Sequence, residues 1–224
     1  MKLDFPFYND KNIKALDILV LAIMPILFTI YTFSPLTIPF GLGPFLFCFL
    51  QLGAFLFVAR GKISLLIKEL SFRDIVRVIV TLILQFIFAL TLSAILRFVF
   101  KLDATANDVI KMDMDFIFWI KVFVQLFGEE LYKILIFLVG LIITYKLTKK
   151  RMLSIVIGTI VSLLCFAIIH FTTYNNIIQI LLLQGLASLI CMYNYLKTKN
   201  ILTSYLQHLL FDSIPFILAM IGVL

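Results

Sequence analysis

Long apolar runs separated by short polar stretches dominate the chain. Seven runs stand out, at about 16–34, 41–59, 75–99, 116–145, 152–172, 177–196 and 201–223. Each is near or above the ~20 residues that a helix needs to cross a bilayer. Because hydrocarbon offers no hydrogen-bond partners, every backbone amide must be satisfied within its own segment, so the runs predict helices. The expected fold is therefore all-α, a polytopic transmembrane bundle of about seven spans.

The composition agrees with this pattern and excludes an ordinary soluble protein. Hydrophobic residues make up 63% of the chain and charged residues 14%, against about 45–50% and about 25% in soluble domains. We expect one membrane domain over 1–224, in which 1–115 hold spans without motifs and 116–224 hold the candidate chemistry. The net charge of +7 comes from bases between the runs, so membrane lipid is the expected surrounding and nucleic acid is not an expected partner.

The loop charges predict the orientation. Bases cluster after the second, fourth and sixth runs: Arg60, Lys62, Lys68, Arg73, Arg77, Lys146, Lys149, Lys150, Arg151, Lys197 and Lys199. The loops after the first and fifth runs carry no charge, and acids prevail after the third: Lys101 and Lys111 stand against Asp103, Asp108, Asp113 and Asp115. The positive-inside rule then predicts a cytoplasmic N-terminus and an external C-terminus. No small-residue cleavage site follows the first run, which predicts a retained span.

The cysteines add no chemistry of their own. Cys48, Cys165 and Cys191 are odd in number and lie inside apolar runs, without a CxxC pair. They are interpreted as small buried apolar residues. The richness in Ile, Phe, Lys and Asn is typical of low-GC bacteria, so the expected location is a bacterial cytoplasmic membrane.

Ionisable residues deep inside the runs are few, and all lie in the C-terminal half. They are Glu129, Glu130 and Lys133 in the fourth run, His170 in the fifth, and His208 and Asp212 in the seventh. A charge at the bilayer centre costs at least ~2.5–3.5 kcal/mol on insertion scales, so such residues usually face the bundle interior and have a function.

Helical spacing pairs these residues. Lys133 lies four positions after Glu129 and three after Glu130, so it can reach either carboxylate. Phe166 and His170 share a face at a separation of four. His208 and Asp212 are also four apart, which predicts that Asp212 accepts the ring N–H of His208.

Together these residues can hold a water molecule and take its proton. Glu129 or Glu130 would act as general base, and the histidines would position the water or stabilise an oxyanion. Two histidines and one glutamate, His170, His208 and Glu129, also suit a catalytic divalent metal such as zinc, although HExxH is absent. Taken singly, the Glu–Lys cluster is also typical of a structural ion pair, and His170 or Asp212 of an interhelical hydrogen bond. A proton-coupled transporter is a further hypothesis, weakened by the lack of inverted repeats.

The motifs, taken in order, resemble the CPBP family of intramembrane proteases, which includes the CAAX prenyl endopeptidases and the Abi bacteriocin-processing or immunity proteins. The family pattern is EExxxR, then FxxxH, then HxxxN or HxxxD. The matches here are Glu129-Glu130, Phe166 to His170, and His208 to Asp212, and the resemblance covers about residues 115–220.

The resemblance implies an intramembrane endopeptidase that hydrolyses a membrane-embedded or lipid-modified peptide, either as a metalloprotease or as a glutamate protease. Glu129 would activate the water, His170 and His208 would bind the water, a metal or the oxyanion, Glu130 would assist, and Asp212 would support His208. Ile134 stands where the family has arginine, and Lys133 comes one residue earlier, about 100° away around the helix. This departure favours an alternative, a catalytically silent scaffold or regulator that binds another membrane protein, as in bacteriocin immunity or sensor-kinase regulation.

The predicted depths of these residues disagree. At ~1.5 Å per residue, His208 lies about 12 Å from the cytoplasmic start of its span, and Glu129 and His170 lie about 24 and 27 Å from theirs. A projecting fourth and fifth helix, or a strong tilt, would reconcile the three values.

Overall fold

The computed structural model describes residues 4–36, 38, 41–105 and 113–222, which contain helices and no strand. The helices are α1 (Ala15–Phe33), α2 (Gly43–Val58), α3 (Phe72–Phe98), α4 (Phe116–Thr148), α5 (Arg151–Ile169), α6 (Phe171–Tyr174), α7 (Ile177–Gln179), a π-helix (Ile180–Leu186), α8 (Leu189–Thr198) and α9 (Ile201–Met220). A short 3-10 turn, Ile63–Leu65, precedes α3. The all-α prediction is confirmed.

Each predicted apolar run corresponds to helix, but the runs differ in length. Five helical segments of the described chain are long and apolar enough to cross a membrane: Ala15–Phe33, Phe72–Phe98, Arg151–Tyr174, Ile177–Thr198 and Ile201–Met220. α2 has 16 residues, fewer than the ~20 of a full span. The protein is thus a multi-pass membrane protein. The count of seven spans, the orientation and the division at 115/116 stay predictions, and Asp108 and Lys111 of the third loop lie outside the described residues.

α4 is the central helix of the bundle. It packs against α1, α2, α5 and α9, and most residues between Gly128 and Ile142 are buried. Its contact with α5 is close because two glycines face each other: a Cβ on Gly140 would lie 3.0 Å from Gly158 Cα. Small residues at such crossings let membrane helices approach. This contact fixes the end of α5, and hence His170, beside α4.

The α4–α5 hairpin extends beyond the turn that precedes α9. Tyr195, near that turn, packs against Phe137 with ring centroids 5.9 Å apart, whereas α4 continues to Thr148. Eleven residues of helix correspond to about 16 Å. The N-terminal segment packs beside this projecting part of the hairpin, because the Phe5 ring contacts the rings of Phe137 and Tyr195. The projection accounts for the unequal depths of Glu129, His170 and His208 along their helices.

A buried amide network joins α3, α8 and α9. The Gln207 side chain donates to Gln85 Oε1 at 2.8 Å and accepts from Asn194 Nδ2. Thr81 Oγ1 donates to Gln207 Oε1 at 3.1 Å, and Cys191 Sγ to Gln85 Oε1 at 3.2 Å. These bonds hold α9 in place through Gln207, the residue that precedes His208.

Candidate active site

Three helices bring the predicted carboxylates and imidazoles together. Glu129 Oε2 lies 4.0 Å from His170 Nε2 and 3.9 Å from His208 Nε2. Glu129 comes from the middle of α4, His170 from the end of α5 and His208 from α9. The two imidazole nitrogens therefore approach the same carboxylate oxygen from two different helices.

Glu130 lies on the Nδ1 side of the His208 ring, away from Glu129, and makes two strong contacts there. Its Oε1 lies 2.8 Å from His208 Nδ1 and forms an ion pair with Lys133 Nζ. Both Glu130 and Lys133 are at most 1% exposed. Since a carboxylate only accepts hydrogen bonds, His208 Nδ1 carries the proton. Lys133 thus pairs with the second glutamate although Ile134 occupies the position of the family arginine.

Phe166 holds His170 from two directions. The Phe166 carbonyl oxygen lies 2.7 Å from His170 Nδ1, which assigns the proton to Nδ1 and leaves Nε2 turned toward Glu129. The Phe166 ring packs edge-on against His170, with centroids 4.7 Å apart. Lys133 Nζ lies 4.4 Å from the centroid of the same ring. The Phe166 ring therefore contacts both His170, four residues later in the chain, and Lys133 of the buried ion pair.

Asp212 lies at a different place from the one its spacing predicts. Its Oδ2 is 3.6 Å from His208 Nε2, beyond hydrogen-bond length, whereas Glu130 occupies the Nδ1 side. The side chain that orients His208 is thus Glu130 from α4. Asp212 lies with Glu129 on the opposite edge of the ring.

A cavity of about 160 Å³ opens onto these residues. Gln125, one turn before Glu129, lines it and donates from Nε2 to Glu129 Oε1 at 3.0 Å. The π-helix contributes Gln184, whose buried Oε1 has no hydrogen-bond partner among the described residues. π-Helical segments often lie at functional sites because they displace side chains from regular register.

No sequence motif singles out the glutamines inside the apolar runs. The Gln207 side chain joins helices, whereas Gln125 and Gln184 line the cavity. For Gln125, the separation of four residues from Glu129 was a signal that could have identified it. For Gln184, the sequence carries no comparable signal, because the π-helix sets its direction.

The side-chain atoms of Glu129, His170 and His208 lie farther apart than the ligands of a zinc ion. Tetrahedral zinc bound at about 2.0–2.1 Å needs ligand atoms about 3.3 Å apart. The observed distances of 3.9 and 4.0 Å are wider, and no group of three or more His, Cys, Asp or Glu in the described chain has the geometry of a metal site. Hydrogen bonds of about 2.8 Å to one water molecule span such a separation. The arrangement fits a hydrogen-bonded water and does not fit tetrahedral zinc.

Comparison with known protein families gives a match to the part of the chain that holds the site. Residues 111–214 match the Rce1-like family, described as type II CAAX prenyl endopeptidase Rce1-like. No curated protein and no solved structure matches the chain. The matched range contains every side chain of the cluster around Glu129. This part of the chain is therefore similar to the CPBP family, to which the CAAX prenyl endopeptidases belong.

Proposed function

We propose that the protein is an intramembrane endopeptidase in which Glu129 activates a water molecule held by His170 and His208. One observation carries the proposal: a single carboxylate oxygen lies within 4.0 Å of two imidazole nitrogens at the wall of a cavity between transmembrane helices. A general base must lie within hydrogen-bond reach of the water that it deprotonates. The cluster provides this geometry.

The number of hydrogen bonds that one water molecule can donate limits the protonation state of Glu129, His170 and His208. With Nδ1 protonated on both rings, the neutral histidines and Glu129 offer three acceptors to the central water. A water molecule donates only two hydrogen bonds, so binding all three groups requires one of them to carry a proton. A protonated imidazole would be stabilised by Glu129 and, for His208, by Glu130 at Nδ1 and Asp212 near Nε2.

The reaction follows from this arrangement. Glu129 takes a proton from the water as the water oxygen bonds to the peptide carbonyl carbon. The imidazolium N–H stabilises the oxyanion. Glu129 then returns the proton to the leaving nitrogen as the C–N bond breaks, which yields a carboxylic acid and an amine. The location between membrane helices, with the family match, supports a membrane-embedded or lipid-modified peptide as substrate. A C-terminally prenylated peptide is the first substrate to test.

The test is cleavage of prenylated and unmodified membrane peptides by the purified protein in proteoliposomes. Glu129→Gln keeps the shape of the side chain and removes the base, so we expect a loss of about 10²–10⁴-fold in kcat. Glu69→Gln, the same change at an exposed residue between α2 and α3, is the matched control. Equal cleavage by wild type and Glu129→Gln, with a substrate that wild type hydrolyses, would refute the proposed role.

The alternative function is a catalytically silent scaffold that binds another membrane protein, for example in bacteriocin immunity. Ile134 in place of the family arginine favours it. The ion pair between Lys133 and Glu130 weighs against it, because the second glutamate keeps a basic partner without the arginine. A cellular phenotype that survives Glu129→Ala would favour the scaffold.

A further inference from the structure

A second cavity lies on the other side of Glu129. It occupies about 200 Å³ between α1, α2 and α4, and its lining includes Tyr31, Cys48 and Gln51. Gln125 and Glu129 line this cavity as well as the one that holds the histidines. The proposed base is therefore a wall between two separate spaces.

Gln51 makes this second space unusual for a membrane interior. The residue is 1% exposed, and its Oε1 has no hydrogen-bond partner among the described residues. An unsatisfied buried acceptor costs about 1–3 kcal/mol, so a partner is expected inside the cavity. Tyr31, Thr32, Gln125 and the Glu129 carboxylate supply further polar groups around the same space.

The volume and the lining suit water. One molecule occupies about 30 Å³ in the liquid and needs two to four polar partners, so a polar cavity of this size has room for several. Empty cavities in proteins are apolar, whereas this cavity contains a carboxylate and two carboxamides, Gln51 and Gln125.

We propose that the cavity between α1, α2 and α4 holds water and supplies the hydrolytic water to Glu129 from the side opposite the substrate. This inference rests on the proposed function. A peptide bound beside His170 and His208 fills the first cavity and closes that approach. Each cleavage consumes one water, which then arrives past Gln51 and Gln125 without displacement of the peptide.

The native cysteines provide a test of hydration that needs no activity. Cys48 lines the second cavity, whereas Cys191 is 0% exposed and donates to Gln85 in the packed interior. A Cys48-only chain carries Cys165→Ala and Cys191→Ser, and a Cys191-only chain carries Cys48→Ala and Cys165→Ala. Each is treated in nanodiscs with 2-aminoethyl methanethiosulfonate and followed by intact mass.

Because the thiolate is the reacting species and forms only where water solvates it, we expect Cys48 to react about tenfold faster than Cys191, or more. Gln51→Leu in the Cys48-only chain should slow the reaction, and Gln51→Asn, which keeps an amide, should slow it less. Equal rates at Cys48 and Cys191 would overturn the proposal. The labelling is expected to be the same in Glu129→Gln, so failure of the catalytic assignment and failure of the hydrated cavity are separate results.

Kinetics distinguish water from a substrate side chain as the occupant. If the cavity supplies water, Gln51→Leu lowers kcat several-fold and leaves KM unchanged, and Gln51→Asn restores part of the rate. If the cavity instead binds part of the peptide, Gln51→Leu raises KM and alters the preference for the residue beside the cleaved bond. The second result contradicts the proposal.

Discussion

Replacing Lys133 by methionine tests the buried ion pair on which the geometry of the site depends. Lys133 is 0% exposed and Glu130 is 1% exposed, so water cannot solvate the carboxylate that the substitution leaves behind. Breaking a buried pair by removal of one partner costs about 3–5 kcal/mol. Methionine has a similar length and fills the same space beside Phe166, so lost packing contributes little.

The double variant separates the unpaired charge from other effects. Glu130→Gln combined with Lys133→Met removes both charges, and a glutamine oxygen can still accept the hydrogen bond from His208 Nδ1. Replacing a buried pair by neutral groups is often neutral or stabilising. We therefore expect the double variant to be more stable than Lys133→Met, and Glu130→Gln alone to be destabilised by the lysine that it leaves unpaired.

Thermal unfolding in detergent and SDS titration measure these differences. At about 2–4 °C per kcal/mol for a chain of this size, Lys133→Met should lower Tm by about 6–20 °C. A Lys133→Met protein as stable as wild type, or a double variant no more stable than Lys133→Met, would refute the reasoning. Either result would mean that Glu130 does not depend on Lys133 for its charge.

Further predictions concern the cavity, the ion pair between Asp4 and Arg151, and the packing of the helices. Gln184→Leu should raise KM several-fold with little change in kcat, because the Gln184 Oε1, which has no partner in the described part of the chain, is available to a substrate N–H. Hydrogen bonds from Arg151 hold the pKa of Asp4 at about 2, below its ordinary 3.8. Their stabilisation is complete above about pH 4 and is lost as the pH falls through about 2, so Asp4→Asn should lower Tm at pH 7 and have a much smaller effect at pH 2. Gly158→Ala places a Cβ 2.8 Å from an α4 carbonyl oxygen and should cost about 1–3 kcal/mol in thermal unfolding. Gly53→Ala, where no atom of the described residues lies within 4 Å of the added Cβ, should be harmless.

The sequence predicts the helices well because hydrocarbon leaves the backbone no alternative. All seven apolar runs correspond to helical segments. Two features were missed. The 16 residues of α2 look like part of a longer apolar run, and the π-helix at Ile180–Leu186 has no signature in a stretch of leucine and isoleucine. α2 begins at Gly43, with Pro44 in its first turn, and is followed by Arg60 and Gly61, both with positive φ, whereas the π-helix packs against α3 and α5.

Within the site, the sequence predicts contacts inside one helix better than contacts between helices. Helical spacing correctly pairs Phe166 with His170 and allows Lys133 to reach Glu130. It also suggests that Asp212 holds His208, because both lie on α9 with a separation of four. The observed partner of His208 Nδ1 is Glu130, 78 residues earlier in the chain. No single-sequence pattern encodes that contact, since it requires α4 and α9 to pack in a particular rotation.

The same rotation decides which of two adjacent glutamates can act as a base. Consecutive helical residues point about 100° apart, so only one can face the cavity when the other faces α9. Glu130 Oε1 is already occupied by Lys133 and His208, which fixes its charge and removes it from contact with substrate. Glu129 keeps Oε2 turned toward both Nε2 atoms, while Gln125 holds Oε1. In the proposed mechanism, these chemically identical neighbours therefore have separate roles: Glu130 orients His208, and Glu129 takes the proton.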